Sequence, residues 1–198
     1  MKANKVNKKV INISIITLSK NDFKNFNRTL RSINSQKIRF NIEWLIIDGS
    51  DYKINRKINN LLNKYFSGVN KRYISLKHIN SKSIGINGIY PCMNYGKKIA
   101  KGIFIIYLNS GDTFYTNYSL NILMKKTIDV NPKSSLIFGQ AKIIASRKLS
   151  WLFPGEKLTS IKKWLSIFEP NHQSMLISKS LANYYEFSQK YNLISDGY

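Results

Sequence analysis

Acidic residues are scarce in this sequence, and four of its ten acids fall in three short polar segments that could carry chemistry. Each segment directly follows an apolar run: Ser19-Lys20-Asn21-Asp22, Asp48-Gly49-Ser50-Asp51 and Asn109-Ser110-Gly111-Asp112. Taken singly, such residues are typical of turns and helix caps. Taken together, carboxylates are the ligands that Mg²⁺ or Mn²⁺ prefers, and substrate phosphates commonly complete the coordination of these ions. The three segments therefore predict a site for a nucleotide diphosphate and a divalent metal ion.

The apolar runs recur at regular intervals, which indicates alternating strands and helices. Short β-branched runs begin near Ile11, Ile42, Ile74 and Ile103, so the interval is roughly 30 residues, about one strand–helix–strand unit. This alternation predicts an α/β fold, with a mostly parallel, Rossmann-like sheet and helices on both of its faces. Ligands of such sheets bind beyond the carboxyl ends of the strands, which is where the three polar segments fall.

Helical spacing of apolar residues between the runs supports this arrangement. One stripe comprises Phe23, Phe26, Leu30 and Ile33, and a second comprises Ile54, Ile58, Leu61, Leu62 and Tyr65. Asp22 and Asp51 stand just before these helices, where a carboxylate can cap free backbone N–H groups. A fifth strand is predicted at Leu136–Phe138, after a helix near Leu120–Ile128. We expect residues 1–198 to form a single domain.

The formal charge of +22 admits three classes of partner: nucleic acid, an anionic membrane or a phosphate-bearing substrate. Lysines outnumber arginines 26 to 6 and are mostly scattered. Sequence-specific DNA readers rely on arginine for bidentate base contacts, so we expect no specific nucleic-acid partner. Codon composition is an alternative source of the charge, because Lys, Ile and Asn are all favoured by AT-rich codons.

Several classes of protein are excluded by what the sequence lacks. Cys92 is the only cysteine, so no disulfide forms within the chain. With His78 and His172 it makes no zinc ligand set of usual spacing, and no activating base adjoins it in sequence. Neither a G-x-x-x-x-G-K-[ST] phosphate loop nor a G-x-G-x-x-G motif after the first strand is present. The longest apolar run, Ile103 to Leu108, is far short of the roughly 20 residues of a spanning helix.

The two ends of the chain each leave alternatives. Lysines in the leader Met1 to Lys9 precede the apolar run Val10 to Leu18, as in a signal peptide, but Asn12 and Ser14 interrupt that run. We interpret it as a strand and expect a cytoplasmic protein. Near the other end, one stripe comprises Leu158, Ile161, Trp164, Leu165 and Phe168. It fits a core-packing helix or a helix that docks on anionic lipid.

Four blocks of the sequence resemble the family 2 glycosyltransferases, which are inverting enzymes of the GT-A fold that use nucleotide sugars. The first two blocks are Ile13 to Leu18 with Asn21, Thr29 to Ile33 and Gln36, and then Glu43 to Ser50. The third block comprises Gly88 to Tyr90, Met93-Asn94, Gly96, Ala100 to Gly102 and Tyr107 to Asp112, and the fourth comprises Asn171 to Ser174 and Ser195-Asp196. The resemblance runs from about Ile11 to Tyr198 and is nearest to bacterial surface-polysaccharide transferases. Because relatives continue beyond the last block, it also implies that the domain lacks its C-terminal portion.

The resemblance implies a role for each candidate site residue. Asp196 is expected to be the general base that deprotonates the acceptor, and Asp112 to bind Mn²⁺ or Mg²⁺ at the diphosphate. Asp48 is expected to contact the nucleobase or ribose, and Asn109 to shape the metal-binding turn. The remaining substrate-binding candidates are Asn21, Asn94, His172 and Gln173, of which the last two are expected to line the donor or acceptor pocket.

These roles imply a metal-dependent glycosyltransferase of the hexosyltransferase type. We expect it to move a sugar from a nucleotide-diphosphate donor, a UDP-sugar, to a glycan or lipid-linked acceptor with inversion, in cell-surface polysaccharide biosynthesis. An anionic membrane surface is a further expected partner, with the protein peripheral on the inner face of the membrane. The alternative is a truncated, inactive nucleotide-sugar-binding module.

Overall fold

A six-stranded sheet organises the part of the chain that the computed structural model describes, namely residues 10–66, 74–146, 148–154 and 171–188. Its strands lie in the order β3-β2-β1-β4-β8-β5. They are β1 (Ile13–Ser19), β2 (Ile42–Asp48), β3 (Ile74–Asn80), β4 (Phe104–Tyr107), β5 (Leu136–Phe138) and β8 (Met175–Ser178). The first four strands are parallel to one another, and β8 runs antiparallel between β4 and β5. A separate antiparallel hairpin comprises β6 (Ala141–Ile144) and β7 (Ser150–Phe153).

Helices cover both faces of the sheet, as the sequence predicts. They are α1 (Phe23–Asn34), α2 (Tyr52–Phe66), α3 (Ile89–Ile99), α4 (Ser119–Lys125) and α5 (Lys179–Ala182). Helices α1 and α2 pack over the side chains of one face, where Trp44 stacks on Phe26 with ring centroids 5.8 Å apart. Helix α3 packs on the other face, through Tyr90 and Met93. No helix in the described ranges is long and apolar enough to cross a membrane.

The predicted strands and helices are confirmed, with small shifts at their ends. The run after the N-terminal lysines is strand β1, so the strand interpretation of that segment is correct. Helix α4 ends at Lys125, earlier than the helix predicted near Leu120–Ile128. Strand β8 and the β6–β7 hairpin are not in the predicted set, because their short apolar runs have no distinctive spacing. The predicted amphipathic helix around Leu158 to Phe168 lies outside the described residues.

A buried polar network at the start of the strands joins β1, β2 and the turn before β4. The Glu43 carboxylate accepts hydrogen bonds from the Ser14 hydroxyl, at 2.6 Å, and from the backbone N–H of Lys101. The backbone N–H of Gly102 donates to the Ser14 hydroxyl at 2.8 Å. A Cβ at position 102 would lie 2.5 Å from the backbone nitrogen of Ser14, so only glycine fits there.

We predict that Gly102→Ala lowers the free energy of unfolding by about 1–3 kcal/mol, because the added methyl group must displace the backbone of β1. Urea denaturation measures the loss. Lys101→Ala is the matched control, since its side chain is exposed and the substitution leaves the backbone contacts of the turn in place. Equal stability of the two variants would show that this turn tolerates a side chain.

Candidate functional site

The loops that follow β1, β2 and β4 meet at the carboxyl edge of the sheet, as the sequence predicts. Ser19 is in register with Asp48, and the backbone N–H of Gly49 donates to the carbonyl of Ser19 at 2.8 Å. The backbone N–H of Ser110 donates to the carbonyl of Leu18 at 3.0 Å. Three polar segments that are far apart in the chain are therefore neighbours in space.

Asn21 ties the first loop to the second. Its backbone adopts the left-handed conformation, with φ 54°, which asparagine tolerates better than most residues. The backbone N–H of Asn21 donates to the Ser50 hydroxyl at 2.8 Å, and its side-chain oxygen accepts from the backbone N–H of Asp51 at 2.8 Å. Asn21 is exposed, so its side-chain NH₂ group lies at the surface of the site.

Asp48, the predicted nucleoside contact, is completely buried at the end of β2. One carboxylate oxygen accepts from the backbone N–H of Ser50 at 2.9 Å. The other oxygen accepts from the Asn55 amide at 2.9 Å and from His78 Nε2 at 3.1 Å. Burial by itself would raise the pKa of Asp48, but the hydrogen bonds from His78 and Ser50 outweigh it, so the pKa lies below its usual value.

The partners of Asp48 form a closed hydrogen-bonded ring. The Asn59 amide NH₂ donates to the Asn55 side-chain oxygen at 3.2 Å, and the Asn59 side-chain oxygen lies 2.7 Å from His78 Nδ1. His78 therefore bridges Asn59 on α2 and Asp48 at the end of β2 through its two ring nitrogens.

Sequence reasoning did not predict this ring. Two signals were present: Asn55 and Asn59 are four residues apart on α2, and His78 lies two residues before the end of β3. The structure joins Asp48 to His78 on β3 and to Asn55 on α2, and these hydrogen bonds hold the β2–α2 loop.

We predict that Asp48→Asn lowers the free energy of unfolding at pH 7 by about 1–3 kcal/mol, because an amide NH₂ group then faces donors whose hydrogen bonds the buried carboxylate accepts. Since the pKa of Asp48 is lowered by folding, its contribution is complete above about pH 4 and is lost as the pH falls further. Urea denaturation across pH 3 to 7 should therefore show a wild-type-to-variant gap that narrows in acid.

Asp51→Asn is the matched control for this prediction. The Asp51 carboxylate is exposed and accepts only from the backbone N–H of Ile54, at 3.0 Å, within the described residues. Asparagine caps helices about as well as aspartate, so we expect a change below about 0.5 kcal/mol. A gap for Asp48→Asn that stays constant with pH would contradict the lowered pKa of Asp48.

Asp112, the predicted metal ligand, closes a tight turn with Asn109. The backbone N–H of Asn109 donates to one Asp112 carboxylate oxygen at 3.1 Å, and the backbone N–H of Asp112 donates to the Asn109 carbonyl at 3.0 Å. Gly111 takes φ 103° within the turn, a conformation that favours glycine. Burial raises the pKa of Asp112, against the hydrogen bond from Asn109 and the nearby charges of His172 and Arg28.

The side-chain oxygen of Asn109 is buried and has no hydrogen-bond partner in the described structure. A buried polar atom without a hydrogen-bond partner destabilises the fold, so a bound ligand that contacts the Asn109 oxygen would stabilise the turn. Together with the Asp112 carboxylate it presents oxygen donors, which suit Mg²⁺ or Mn²⁺. Among the described residues no three His, Cys, Asp or Glu side chains cluster as a metal site, so a bound ion would need phosphate and water ligands as well.

His172 and Gln173 lie in a short 3₁₀-helix, His172–Ser174, that immediately precedes β8. The Asn171 side chain caps this turn by accepting from the backbone N–H of Gln173 at 3.0 Å. The His172 ring packs edge-on against Tyr107, with ring centroids 6.2 Å apart, and its charge acts on Asp112. The structure therefore brings His172 to the Asp112 turn, while the Gln173 side chain is half-buried beside it.

Asn94 is occupied by the segment that follows α5. Its side-chain NH₂ donates to the carbonyl of Phe187 at 2.9 Å, and its side-chain oxygen accepts from the backbone N–H of Phe187 at 3.0 Å. Phe187 also stacks on Tyr90, and Lys97 donates to the carbonyl of Tyr185. Asn94 thus holds this segment against α3, and its contact with substrate stays a prediction.

Asp196 and Cys92 are the two remaining residues that the sequence analysis considered as catalytic groups. Asp196 lies outside the described residues. Cys92 is buried, and burial raises the pKa of its thiol, so it is not poised as a thiolate nucleophile.

Comparison with solved structures identifies the fold. The chain is similar to S. aureus TarS 1–349 in complex with UDP, with a TM-score of 0.66 at 15% identity over 94% of this chain and 53% of that chain. For the same TarS fragment in complex with UDP-GlcNAc, the TM-score is 0.63 at 15% identity over 90% of this chain and 49% of that one. The chain therefore spans about half the length of these structures. No family model matches the sequence, and no curated protein does.

At this identity the likeness establishes the architecture. A mostly parallel sheet with helices on both faces, and with the polar loops gathered at its carboxyl edge, is the GT-A glycosyltransferase fold predicted from the sequence.

Proposed function

We propose that this protein is a glycosyltransferase that moves a sugar from a nucleotide-diphosphate donor, a UDP-sugar, to a glycan or lipid-linked acceptor with inversion. The supporting observation is the Asn109–Asp112 turn, which presents a carboxylate and a partnerless amide oxygen at the carboxyl edge of a GT-A sheet. That edge is where open α/β sheets bind their ligands. TarS, which shares the fold, was solved with UDP and with UDP-GlcNAc.

The proposed reaction is an in-line displacement at the anomeric carbon. The acceptor hydroxyl loses its proton to Asp196, its oxygen forms the new bond to the sugar, and the bond to the diphosphate breaks with its electron pair leaving on phosphate oxygen. Asp112, with Asn109, would hold a divalent ion whose charge stabilises the departing diphosphate. The protein itself positions the donor and the acceptor and provides the general base. Its positively charged side chains near the diphosphate are proposed to stabilise the leaving group further.

The nucleoside end of the donor is proposed to lie over the β1 and β2 loops. Asn21 is exposed there and offers its side-chain NH₂ group. Asp48 is buried and fully engaged, so a contact between its carboxylate and the base or ribose requires the nucleoside to displace one of its internal donors. His172 and Gln173 are proposed to face the sugar or the acceptor from the other side of the Asp112 turn.

Two substitutions test the proposed roles. Asp112→Asn and Asp196→Asn should each reduce sugar transfer by at least about 100-fold, because each removes a group that the transition state needs. Calorimetric titration with UDP plus Mn²⁺ should show weakened binding for Asp112→Asn and unchanged binding for Asp196→Asn. Full transfer activity in either variant would contradict the assignment.

A second candidate is an inactive nucleotide-sugar-binding module in which the donor site is present without turnover. It stands beside the first because the likeness to TarS, at 15% identity, shows the fold, which an enzyme and a binding module can share. Calorimetry with UDP-GlcNAc and Mn²⁺, followed by an assay for released UDP with and without candidate acceptors, separates the two. Binding with no release of UDP would favour the module.

We also propose that the protein acts in cell-surface polysaccharide synthesis at the cytoplasmic face of an anionic membrane. The β6–β7 hairpin exposes apolar side chains next to lysines, a combination that suits the lipid headgroup region. These residues are Ile144, Leu149, Trp151 and Leu152, with Lys142 and Lys148 beside them.

Vesicle co-sedimentation tests this attachment. We expect retention on phosphatidylglycerol vesicles and release by salt, because each lysine near an anionic surface contributes about 1 kcal/mol and this attraction is screened. Trp151→Ser should weaken retention, whereas Tyr52→Ser, which removes an exposed aromatic residue on α2, should not. Equal binding to neutral vesicles would contradict the role of charge.

A further inference from the structure

Helix α1 and the turn that follows it carry three polar side chains directed at one loop. Thr29 and Ser32 lie on α1, and Gln36 lies just after its end at Asn34. Thr29 is completely buried, Gln36 is 7% exposed and Ser32 is half-buried. Buried polar groups need hydrogen-bond partners, and all three side chains find theirs in the chain between residues 109 and 120.

The Thr29 hydroxyl contacts the backbone of the Asn109–Asp112 turn at two residues, Gly111 and Asp112. It accepts from the backbone N–H of Gly111 at 2.9 Å and lies 2.9 Å from the carbonyl of Asp112. The carbonyls of Asn109 and Asn25 lie farther away, at 3.2 and 3.4 Å. Since a hydroxyl has one hydrogen to donate, the geometry favours donation to Asp112 over the usual bond to the carbonyl one helical turn back.

Ser32 and Gln36 continue the contact along the same loop. The Ser32 hydroxyl accepts from the backbone N–H of Phe114 at 2.7 Å. The Gln36 amide donates to the carbonyl of Thr116 at 2.8 Å and accepts from the backbone N–H of Leu120 at 3.1 Å. Several backbone groups of the loop from β4 to α4 are thus hydrogen-bonded to side chains of α1 and of the turn after it.

We propose that Thr29 is a positioning residue for the Asp112 turn. Ser32 and Gln36 support it by hydrogen-bonding the backbone that follows the turn. Thr29 contacts the backbone N–H of Gly111 and the carbonyl of Asp112, which flank the Asp112 side chain in the turn that also carries the partnerless Asn109 oxygen. Thr29 therefore sets where these two oxygen donors point, without touching a ligand itself. This inference rests on the proposed function, because it assigns the turn to a divalent ion and a nucleotide diphosphate.

Thr29→Val tests the proposal, because it keeps the shape of the side chain and removes the hydroxyl. We expect the affinity for UDP plus Mn²⁺, measured by calorimetry, to fall about 10- to 100-fold, as for other small misplacements of a site. UDP without Mn²⁺ should lose much less. Thr29→Ser restores the hydroxyl and should bind within about threefold of the wild type.

Thr127→Val is the matched control. Thr127 is another buried threonine, but its hydroxyl donates to the carbonyl of Met124 at 2.7 Å, within its own chain segment after α4. A merely structural loss would appear in both valine variants as a lower melting temperature. Only Thr29→Val should change the Mn²⁺-dependent part of the affinity, and equal affinity in the two valine variants would overturn the proposal.

If Thr29→Val does not fold, Ser32→Ala carries the test. It frees only the backbone N–H of Phe114, two residues after Asp112, and should weaken the Mn²⁺-dependent affinity while the melting temperature stays within a few degrees. Unchanged affinity in this variant would overturn the proposal.

Amide hydrogen exchange separates this proposal from the proposed function. The Gly111 amide should be protected in the wild type and in Thr29→Ser, and exposed to exchange in Thr29→Val, whether or not nucleotide binds. Absence of UDP binding by the wild type would contradict the proposed function alone. Equal exchange rates at Gly111 in the wild type and Thr29→Val would overturn the proposal that the Thr29 hydroxyl holds the turn.

Discussion

Backbone groups at the carboxyl edge of the sheet leave the strand ladder and must find hydrogen-bond partners elsewhere, and the rest of the site follows from that constraint. A buried N–H or carbonyl without a partner costs about as much as several favourable contacts provide. The partners here are side chains from neighbouring elements. The Ser50 hydroxyl accepts from the backbone N–H of Asn21, and the Asp48 carboxylate accepts from the backbone N–H of Ser50. The Thr29 hydroxyl accepts from the backbone N–H of Gly111. The same bonds that satisfy the backbone also determine where the functional side chains point.

The two central carboxylates differ because their surroundings differ. Asp48 is hydrogen-bonded to Ser50, Asn55 and His78, and its pKa is lowered although it is buried. Within the described residues Asp112 accepts one hydrogen bond, from Asn109, and burial raises its pKa. A carboxylate whose oxygens are occupied stabilises a loop, whereas one with spare acceptor capacity beside another partnerless oxygen is suited to a ligand. The two carboxylates therefore differ in how much hydrogen-bonding capacity the fold leaves them.

Much of the architecture could be predicted from local patterns. Buried parallel strands are continuous apolar runs, so β1, β2 and β4 were recognisable, and the stripes of α1 and α2 had clear helical spacing. Strand β8 was not recognisable, because a four-residue apolar run carries no signal of the antiparallel pairing that inserts it between β4 and β5. The resemblance also suggested Asn94 as a substrate contact. Its amide is hydrogen-bonded to the backbone of Phe187, a pairing that no local pattern encodes, and its contact with substrate stays a prediction.

The sequence by itself determined the alternation of strands and helices, and hence that the segments ending in Asp22, Asp51 and Asp112 share one edge of the sheet. Those features depend on neighbours along the chain, where side-chain spacing states the preference directly. Only the tertiary structure decided which side chains are consumed by the fold and which are left for a ligand. Thr29 reaches Gly111 across 82 residues, and His78 reaches Asp48 across 30. Contacts of that range depend on how the elements pack, so composition and spacing do not specify them.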